Sequence, residues 1–338
     1  MVTGLLMLFP MNKLFKSISL VVCLAFLPSV AGAWGFYCHR LINKHAIFLL
    51  PPEMVGFYKK HMDYIVQHAV DPDKRSHAVD GEAEKHYIDI DYYGDKPFEV
   101  MPRQWKKACE KYTEDTLKEY GILPWNIEWM MYRLTDAFKE GDVDKIINAS
   151  ANFGHYIGDC NVPLHTTQYY DGRKPYQKGV HALWETRIPE LLAENFDFFI
   201  GRAGYISKPL DKAWDLVEFS HSEMDSVLNI FDSLLLNYDQ SSIFVMEERG
   251  SVVSKQYSLV FCKLMEKEMQ RMVYRKLVSS IYYVASFWYT AWVNAGQPDL
   301  DKMMDKEISK EQQKENDELE YLWKNGKPKG RPNPEDEE

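Results

Sequence analysis

Two pairs of histidine and carboxylate residues stand at helical spacing in the middle of the chain. His155 and Asp159 are four residues apart, and so are His181 and Glu185. On an α-helix, residues four apart lie on one face, with Cβ atoms about 5–6 Å apart. Each pair can therefore hold one metal ion or bridge two. A single pair of this kind is commonly an ordinary helix-surface contact, whereas two pairs in one chain favour a metal centre.

Further candidate ligands lie between and before these pairs. Pro163 stops a helix because it lacks a backbone N–H, so His165 leaves in a new direction. Asp71 and His86 lie upstream, and Asp73 is a rival of Asp71 as a ligand. Imidazole and carboxylate groups together suit a borderline metal such as zinc. The remaining histidines are expected at the surface or satisfied by hydrogen bonds: His45, His61, His68, His77 and His221.

The first 33 residues have the three-part layout of a secretion signal. Lys13 and Lys16 precede an apolar stretch over 18–30, and the small residues 31–33 then form a cleavage pattern. A start at Met11 would put the lysines at the front. The sequence therefore predicts an exported protein, either periplasmic or secreted.

Cleavage before Trp34 would also create a ligand. The new α-amino group and the adjacent carbonyl oxygen can both bind a metal, and His39 lies five residues further on. A lipid anchor at Cys23 is disfavoured, because bulky valines precede that cysteine.

The composition limits the classes of partner. The chain has 338 residues, 46% of them hydrophobic, and a formal charge of −10. This acidic charge argues against a generic basic surface for nucleic acid, although bound metal can still make one site positive. After Trp34 no apolar run is long enough to span a bilayer, and residues 277–293 read as a buried helix. No obligate protein partner is indicated, and a monomer is expected.

Apolar residues at steps of three and four predict a mostly helical chain. The expected helices cover 126–140, 143–158, 211–237 and, as one or two helices, 258–295. Residues 86–93 are expected to be extended, and Gly172, Pro175 and Gly179 mark a loop. A domain is predicted over 34–297, followed by a charged helix and a disordered tail over 298–338.

Four cysteines remain after the predicted leader: Cys38, Cys109, Cys160 and Cys262. An exported chain permits disulfides, but four cysteines allow three pairings. A Cys38–Cys160 bridge is one possibility, because both cysteines neighbour candidate ligands, and free buried thiols are the other.

In order and spacing, the candidate ligands resemble the superfamily of zinc-dependent phospholipase C and the single-strand-specific zinc nucleases. In that family an N-terminal Trp and an early His precede an Asp…His pair, then His-x-x-x-Asp-x(5)-His and His-x-x-x-Asp/Glu. The resemblance covers the chain from Trp34 to Glu185. The matching residues are Trp34, His39, Asp71, His86, His155, Asp159, His165, His181 and Glu185.

The resemblance implies an all-α fold, a single multi-helical domain with three zinc ions at the bottom of a cleft. The ligands it implies are Asp71, His86, His155 and Asp159 for the first ion, His165, His181 and Glu185 for the second, and the amine and carbonyl of Trp34 with His39 and Asp159 for the third. Such a site would be strongly positive and would hydrolyse phosphodiesters with a zinc-activated water. Asp71 is expected to orient or deprotonate that water.

The substrate signals conflict. Lys74, Tyr87 and Asp89 resemble the nuclease branch, in which a cation meets phosphate, an aromatic ring stacks on a base and an aspartate accepts from the base edge. Glu185, and the short step from His165 to His181, resemble the phospholipase branch. Each nuclease signal has a plainer reading: Lys74 as a solvated lysine, Tyr87 as core and Asp89 as a turn cap.

On this balance the sequence favours hydrolysis of single-stranded DNA or RNA, with 3′-nucleotidase activity as an extension. The alternative is a phospholipase C that acts on phospholipid head groups. A third class is a zinc-holding binding protein without turnover, although such a role needs no open position for water.

Overall fold

The computed structural model describes residues 35–249 and 252–326. The predicted leader, Trp34 and the last part of the predicted tail lie outside these residues. The α-helices of the described residues are α1 (Phe36–Ile47), α2 (Pro52–Lys60), α3 (Met62–Gln67), α4 (Asp71–Ala78), α5 (Pro97–Val100), α6 (Trp105–Tyr112), α7 (Glu114–Glu119), α8 (Leu123–Glu140), α9 (Val143–Asp159), α10 (Val180–Ala182), α11 (Ile188–Leu192), α12 (Pro209–Asn237), α13 (Gln240–Ile243), α14 (Leu259–Glu268), α15 (Met272–Asn294) and α16 (Lys310–Asn325).

Shorter elements connect these helices. Turns of 3₁₀ helix cover His68–Val70, Ala83–Lys85, Ile90–Tyr93, Pro163–Thr166, Pro175–Gln177, Ala193–Asn195 and Leu300–Met303, and Leu183–Arg187 forms a turn of π-helix. Strands β1 (Phe244–Arg249) and β2 (Val252–Tyr257) form an antiparallel hairpin, in which Phe244 pairs with Tyr257. The predicted all-α fold is confirmed.

The core forms around α15, which packs against α1, α8 and α9. Trp288 of α15 is fully buried, as are Trp125, Trp184 and Trp214 elsewhere in the core. Within the described residues, no helix combines the length and the apolar character that crossing a bilayer would require. In the stretch 277–293, Leu277, Ile281 and Val284 are fully buried, so this part of α15 is a buried helix as the sequence predicts.

Local signals explain the helical hairpin of α8 and α9. Gly141 adopts a left-handed conformation (φ 63°) and ends α8, and the Asp142 side chain then accepts the Lys145 N–H at the start of α9. Further along α9, a Cβ on Gly154 would lie 2.0 Å from Oδ1 of Asn43. Glycine at this position therefore allows α9 to approach α1 closely, and both helices carry candidate ligands.

Some expectations differ from the structure. Residues 86–93 are not a strand but lead into the 3₁₀ turn Ile90–Tyr93, and the hairpin of β1 and β2 was not predicted. The apolar segment 258–295 divides into α14 and α15 because Gln270 and Arg271 both have positive φ. The four cysteines outside the predicted leader are all free thiols.

The C-terminal charged segment packs on α4. Ser309 caps the N-terminus of helix α16, because its side chain accepts the Gln312 N–H. Glu320 forms an ion pair with Lys74 at 3.0 Å. The Asn316 amide lies 3.4 Å from Nε2 of His68. This helix thus covers the side of α4 that carries Lys74.

Candidate metal centre

The first group of potential ligands comes from the turn after α9 and from α10 with the π-helical turn. Nε2 of His165 lies 3.1 Å from Nε2 of His181, and His181 Nε2 lies 2.9 Å from Oε2 of Glu185. Glu185 is fully buried, and the two histidines are almost so. The second His/carboxylate pair and the histidine after Pro163 therefore converge on one point.

A second group joins α4, the segment before the 3₁₀ turn at 90–93, and α9. Its members are Asp73, His86 and His155, all of them buried. Nε2 of His155 lies 3.1 Å from Nδ1 of His86, and Oδ1 of Asp73 lies 3.5 Å from His155 Nε2. This group contains His86 and His155 as predicted, but with Asp73 as its aspartate.

The third group joins α1 to α9 through His39, His155 and Asp159. Nε2 of His39 lies 3.6 Å from Oδ1 of Asp159, and the rings of His39 and His155 stack with centroids 3.6 Å apart. The other oxygen of Asp159, Oδ2, lies 3.1 Å from Nδ1 of His86. Asp159, a member of the third group, thus also contacts the second group through His86. The remaining predicted ligand of the third group, Trp34, is outside the described residues.

Backbone carbonyls orient two of the imidazoles. Nδ1 of His155 donates to the carbonyl oxygen of Ala69 at 2.8 Å, and Nδ1 of His165 donates to the carbonyl oxygen of His86 at 2.6 Å. The proton of each ring is therefore on Nδ1, and Nε2 presents a lone pair to its group. Histidines that bind a metal usually donate their other ring N–H to a carbonyl or carboxylate in this way.

Asp73 and His86 of the second group face each other with Oδ1 and Nδ1, and each side chain carries one further polar atom. Within the described residues, Oδ2 of Asp73 and Nε2 of His86 are buried without a hydrogen-bond partner. An acceptor buried in this way costs about 1–3 kcal/mol. Carboxylate oxygens and imidazole nitrogens in groups whose ligand atoms lie within 4.8 Å of one another match the ligand set of zinc. The residues therefore fit the metal that the sequence predicts.

Burial shifts the protonation of the same groups. It lowers the pKa of His155 and of His86 to about 3, so both imidazoles are neutral at pH 7. Burial also raises the pKa of Asp159 well above its usual value, and the charges of Asp73 and Glu185 raise it further. Divalent cations would relieve this mutual repulsion among carboxylates.

Asp71, which the sequence assigned to the first ion, does not lie in any of the three groups. Its Oδ2 lies 2.5 Å from Nδ1 of His68, and its Oδ1 accepts from Nζ of Lys74 at 3.1 Å. Burial acts to raise the pKa of Asp71, but these two partners outweigh it and the pKa is lowered. The structure thus places Asp73, the rival residue, at the candidate metal centre. The fifteen-residue step to His86 had favoured Asp71, whereas the direction of each side chain on α4 favours Asp73.

The three residues predicted to bind a nucleotide each have contacts within the protein or are buried. Lys74 contacts Asp71 and Glu320. Tyr87 is buried, and its hydroxyl donates to the carbonyl oxygen of Glu119 at 3.3 Å. Asp89 is buried, with only 4% of its surface exposed. Tyr87 is thus a core residue, as its plainer reading has it, whereas Lys74 is held in ion pairs and is not the solvated lysine of its plainer reading.

Comparisons with known proteins are distant. No family model matches the chain. A probable serine protease from Bradyrhizobium tropiciagri is 23% identical over 199 residues, which are 53% of this chain and 24% of that protein. The chain therefore spans about a quarter of this relative.

Two solved structures are similar to the chain at low TM-score and low sequence identity. The alpha-toxin of Clostridium perfringens, from an avian strain, has a TM-score of 0.45 and 12% identity, covering 80% of this chain and 65% of the toxin. The alpha-toxin of Clostridium absonum has a TM-score of 0.43 and 14% identity, covering 75% and 63%. The chain thus spans less than two thirds of either toxin.

Proposed function

We propose that this protein is a zinc-dependent phosphodiester hydrolase whose substrate is a phospholipid. The observation that carries the proposal is the convergence of three buried His/carboxylate groups, two of which share His155. A structural zinc site closes around one ion with four protein ligands. Adjoining groups of three protein ligands leave coordination positions for water and substrate, as hydrolytic centres require.

The candidate ligands divide into three sets. His165, His181 and Glu185 would hold one ion, and Asp73, His86 and His155 a second. His39 and Asp159, with the terminal amine of Trp34, would hold a third. When bound, zinc supplies a Lewis acid for phosphoryl oxygens and lowers the pKa of water.

The protein's own groups would position and tune this centre. The carbonyl oxygens of Ala69 and His86 keep the rings of His155 and His165 in the tautomer that binds metal. Asp73 Oδ2 is buried with no hydrogen-bond partner in the described residues, so it can accept a proton from the attacking water. This assigns to Asp73 the role that the sequence gave to Asp71.

Two observations favour phospholipid over nucleic acid as substrate. Tyr87 is part of the core and Lys74 is held in ion pairs, so these residues cannot meet a splayed base and its phosphate without rearrangement. The formal charge of −10 also repels a polyanion at long range, whereas a zwitterionic head group has no net charge. Glu185, the carboxylate typical of the phospholipase branch, agrees with this choice.

Export belongs to the same proposal. The mature protein would start at Trp34, in the periplasm or outside the cell, and act as a monomer. A chain with residues left before Trp34 would lack one ligand of the third set.

The test uses the chain that begins at Trp34, loaded with zinc. Vesicles of phosphatidylcholine, single-stranded DNA and single-stranded RNA are offered separately, with and without a chelator. We expect chelator-sensitive release of phosphorylated head group. Cleavage of nucleic acid without cleavage of phosphatidylcholine would show that the protein is a nuclease instead. Zinc binding with turnover of none of these substrates would favour the binding class.

A further inference from the structure

A groove follows the outer face of α1, on the side away from His39. Its volume is about 650 Å³, which is in the range of sites for small molecules. Its walls come from α1, from Val66 and from the segment around the end of α11. The apolar side chains that line it are Phe36, Tyr37, Leu41, Val66, Phe196 and Phe198. We call this feature the α1 groove.

The α1 groove carries both signs of charge on different elements. Arg40 and Lys44 line it from α1, and Glu190 and Glu194 line it from the segment of α11 and the turn that follows. A phosphate group is matched by arginine and lysine. A quaternary ammonium is matched by aromatic rings together with carboxylates. The groove is therefore complementary to a zwitterion that contains both groups, as a phosphocholine head group does.

One end of the α1 groove meets an exposed apolar edge. The ring of Phe198, which lines the groove, lies 4.7 Å from the ring of His45. The next residue, Phe199, is 95% exposed, and Phe48, three residues after His45, is 52% exposed. Two phenylalanines thus project into solvent beside the groove.

The segment that carries Phe199 is fixed by hydrogen bonds. The N–H of Ala203 donates to the carbonyl oxygen of Leu49 at 2.9 Å, which ties the segment to the chain just after α1. The N–H groups of Gly204 and Ile206 donate to serine and threonine hydroxyls on α15, at 3.1 and 2.9 Å. The exposed ring is therefore presented by an anchored segment.

From these contacts we infer that the α1 groove, with Phe48 and Phe199, is a docking surface for a phosphatidylcholine bilayer. One lipid head group occupies the groove, and the two rings insert among the acyl chains. This inference rests on the proposed function, because it gives the hydrolase a means of reaching substrate in a membrane.

The experiment separates docking from turnover. Vesicles of a phosphatidylcholine analogue with a phosphonate-linked head group, which is not hydrolysed, are sedimented with the zinc-loaded chain. The double variant Phe48→Ser/Phe199→Ser should bind about 10-fold or more weakly. The matched control is Leu236→Ser, which changes a side chain 82% exposed at the end of α12 and should bind as the parent does.

A second variant tests the head-group site. Glu190→Gln/Glu194→Gln should weaken binding to the phosphatidylcholine analogue about 3–10-fold. The same variant should bind phosphatidylglycerol vesicles more tightly, because the carboxylates no longer repel that anionic lipid. Unchanged preference between the two lipids would overturn the zwitterion assignment.

Several results would overturn the docking surface. These are wild-type vesicle binding by the double phenylalanine variant, an equal loss in Leu236→Ser, or a concentration-dependent dimer that only the phenylalanine variant loses. Turnover of a soluble phosphocholine ester should be the same in Phe48→Ser/Phe199→Ser, in Leu236→Ser and in the parent. Vesicle binding that persists in a chain without any turnover would refute the proposed function and leave the docking surface standing.

Discussion

Helices α4 and α9 both bring carboxylates to the candidate metal centre, but the spacing of their residues has different consequences. On α9, His155 and Asp159 are one turn apart and share a face. On α4, Asp71 and Asp73 are two residues apart and therefore point about 200° away from each other. Only one of these two aspartates can face the centre, and the other meets His68 and Lys74. Two ligands four residues apart on a helix thus face the same site, whereas for ligands two residues apart the packing of the helix decides which one faces the site.

The largest expected effect is that of Asp159→Asn, on α9. Asp159 contacts two groups, through His39 at 3.6 Å and His86 at 3.1 Å. The amide of asparagine lacks the negative charge of the carboxylate, so the rate of hydrolysis should fall by more than about 100-fold. Losing a residue that only supports a metal ligand usually costs about 10–100-fold. Metal analysis should show fewer bound zinc ions per folded chain. Full zinc content with parent-like turnover would remove Asp159 from the centre.

The sharpest test of the comparison is a pair of variants on α4. Asp73→Asn should lower turnover about 100-fold and reduce zinc content, because Asp73 lies 3.5 Å from His155 Nε2. Asp71→Asn should keep the zinc content and lose less than about 10-fold in turnover, since it acts from outside the groups. If instead Asp71→Asn loses zinc and turnover and Asp73→Asn keeps both, Asp71 is the ligand, as the sequence spacing predicted, and Asp73 is not.

Glu266, a carboxyl remote from the candidate metal centre, has a pKa that burial raises. Burial raises the pKa of Glu266 to about 7, although the side chain accepts the N–H groups of Val273 and Tyr274. Because the folded-state pKa lies above the ordinary value of 4.5, stability is full below pH 4.5 and is lost as the pH rises through 7.

Denaturant unfolding of the parent and of Glu266→Gln, at pH 5 and pH 8, measures this loss. The parent should lose on the order of 1–3 kcal/mol more than the variant over this interval. Equal losses in both proteins would show that Glu266 ionises normally in the fold.

The smallest expected effect is a loss of stability in Lys74→Met, on the side of α4 that faces α16. Lys74→Met removes ion pairs with Asp71 and Glu320 at 3.1 and 3.0 Å. The unfolding free energy should fall by about 1 kcal/mol, because Lys74 is only partly exposed and loses two partners. Zinc content and turnover should stay unchanged. A loss of zinc in this variant would indicate that Asp71 and Lys74 contribute to the centre after all.

Much of the architecture was predictable because it depends on local signals. The periodic apolar residues located α8, α9 and α12 to within a few residues, and Gly141 followed by Asp142 explains the turn between α8 and α9. The hairpin of β1 and β2 was missed. Its strands are short, and Arg187, which forms an ion pair with Glu247 and donates to the carbonyl oxygen of Tyr257, holds it from a distant part of the chain.

The sequence by itself determined which side chains can bind a metal and which of them share a helical face, since a spacing of four residues needs no tertiary information. It also determined that the chain is helical. Only the tertiary structure decided that Asp73 faces the centre, that Tyr87 belongs to the core and that Lys74 is held by α16. The reason is physical: helical phase relative to the core, and partners more than 200 residues away in the chain, are set by packing between elements.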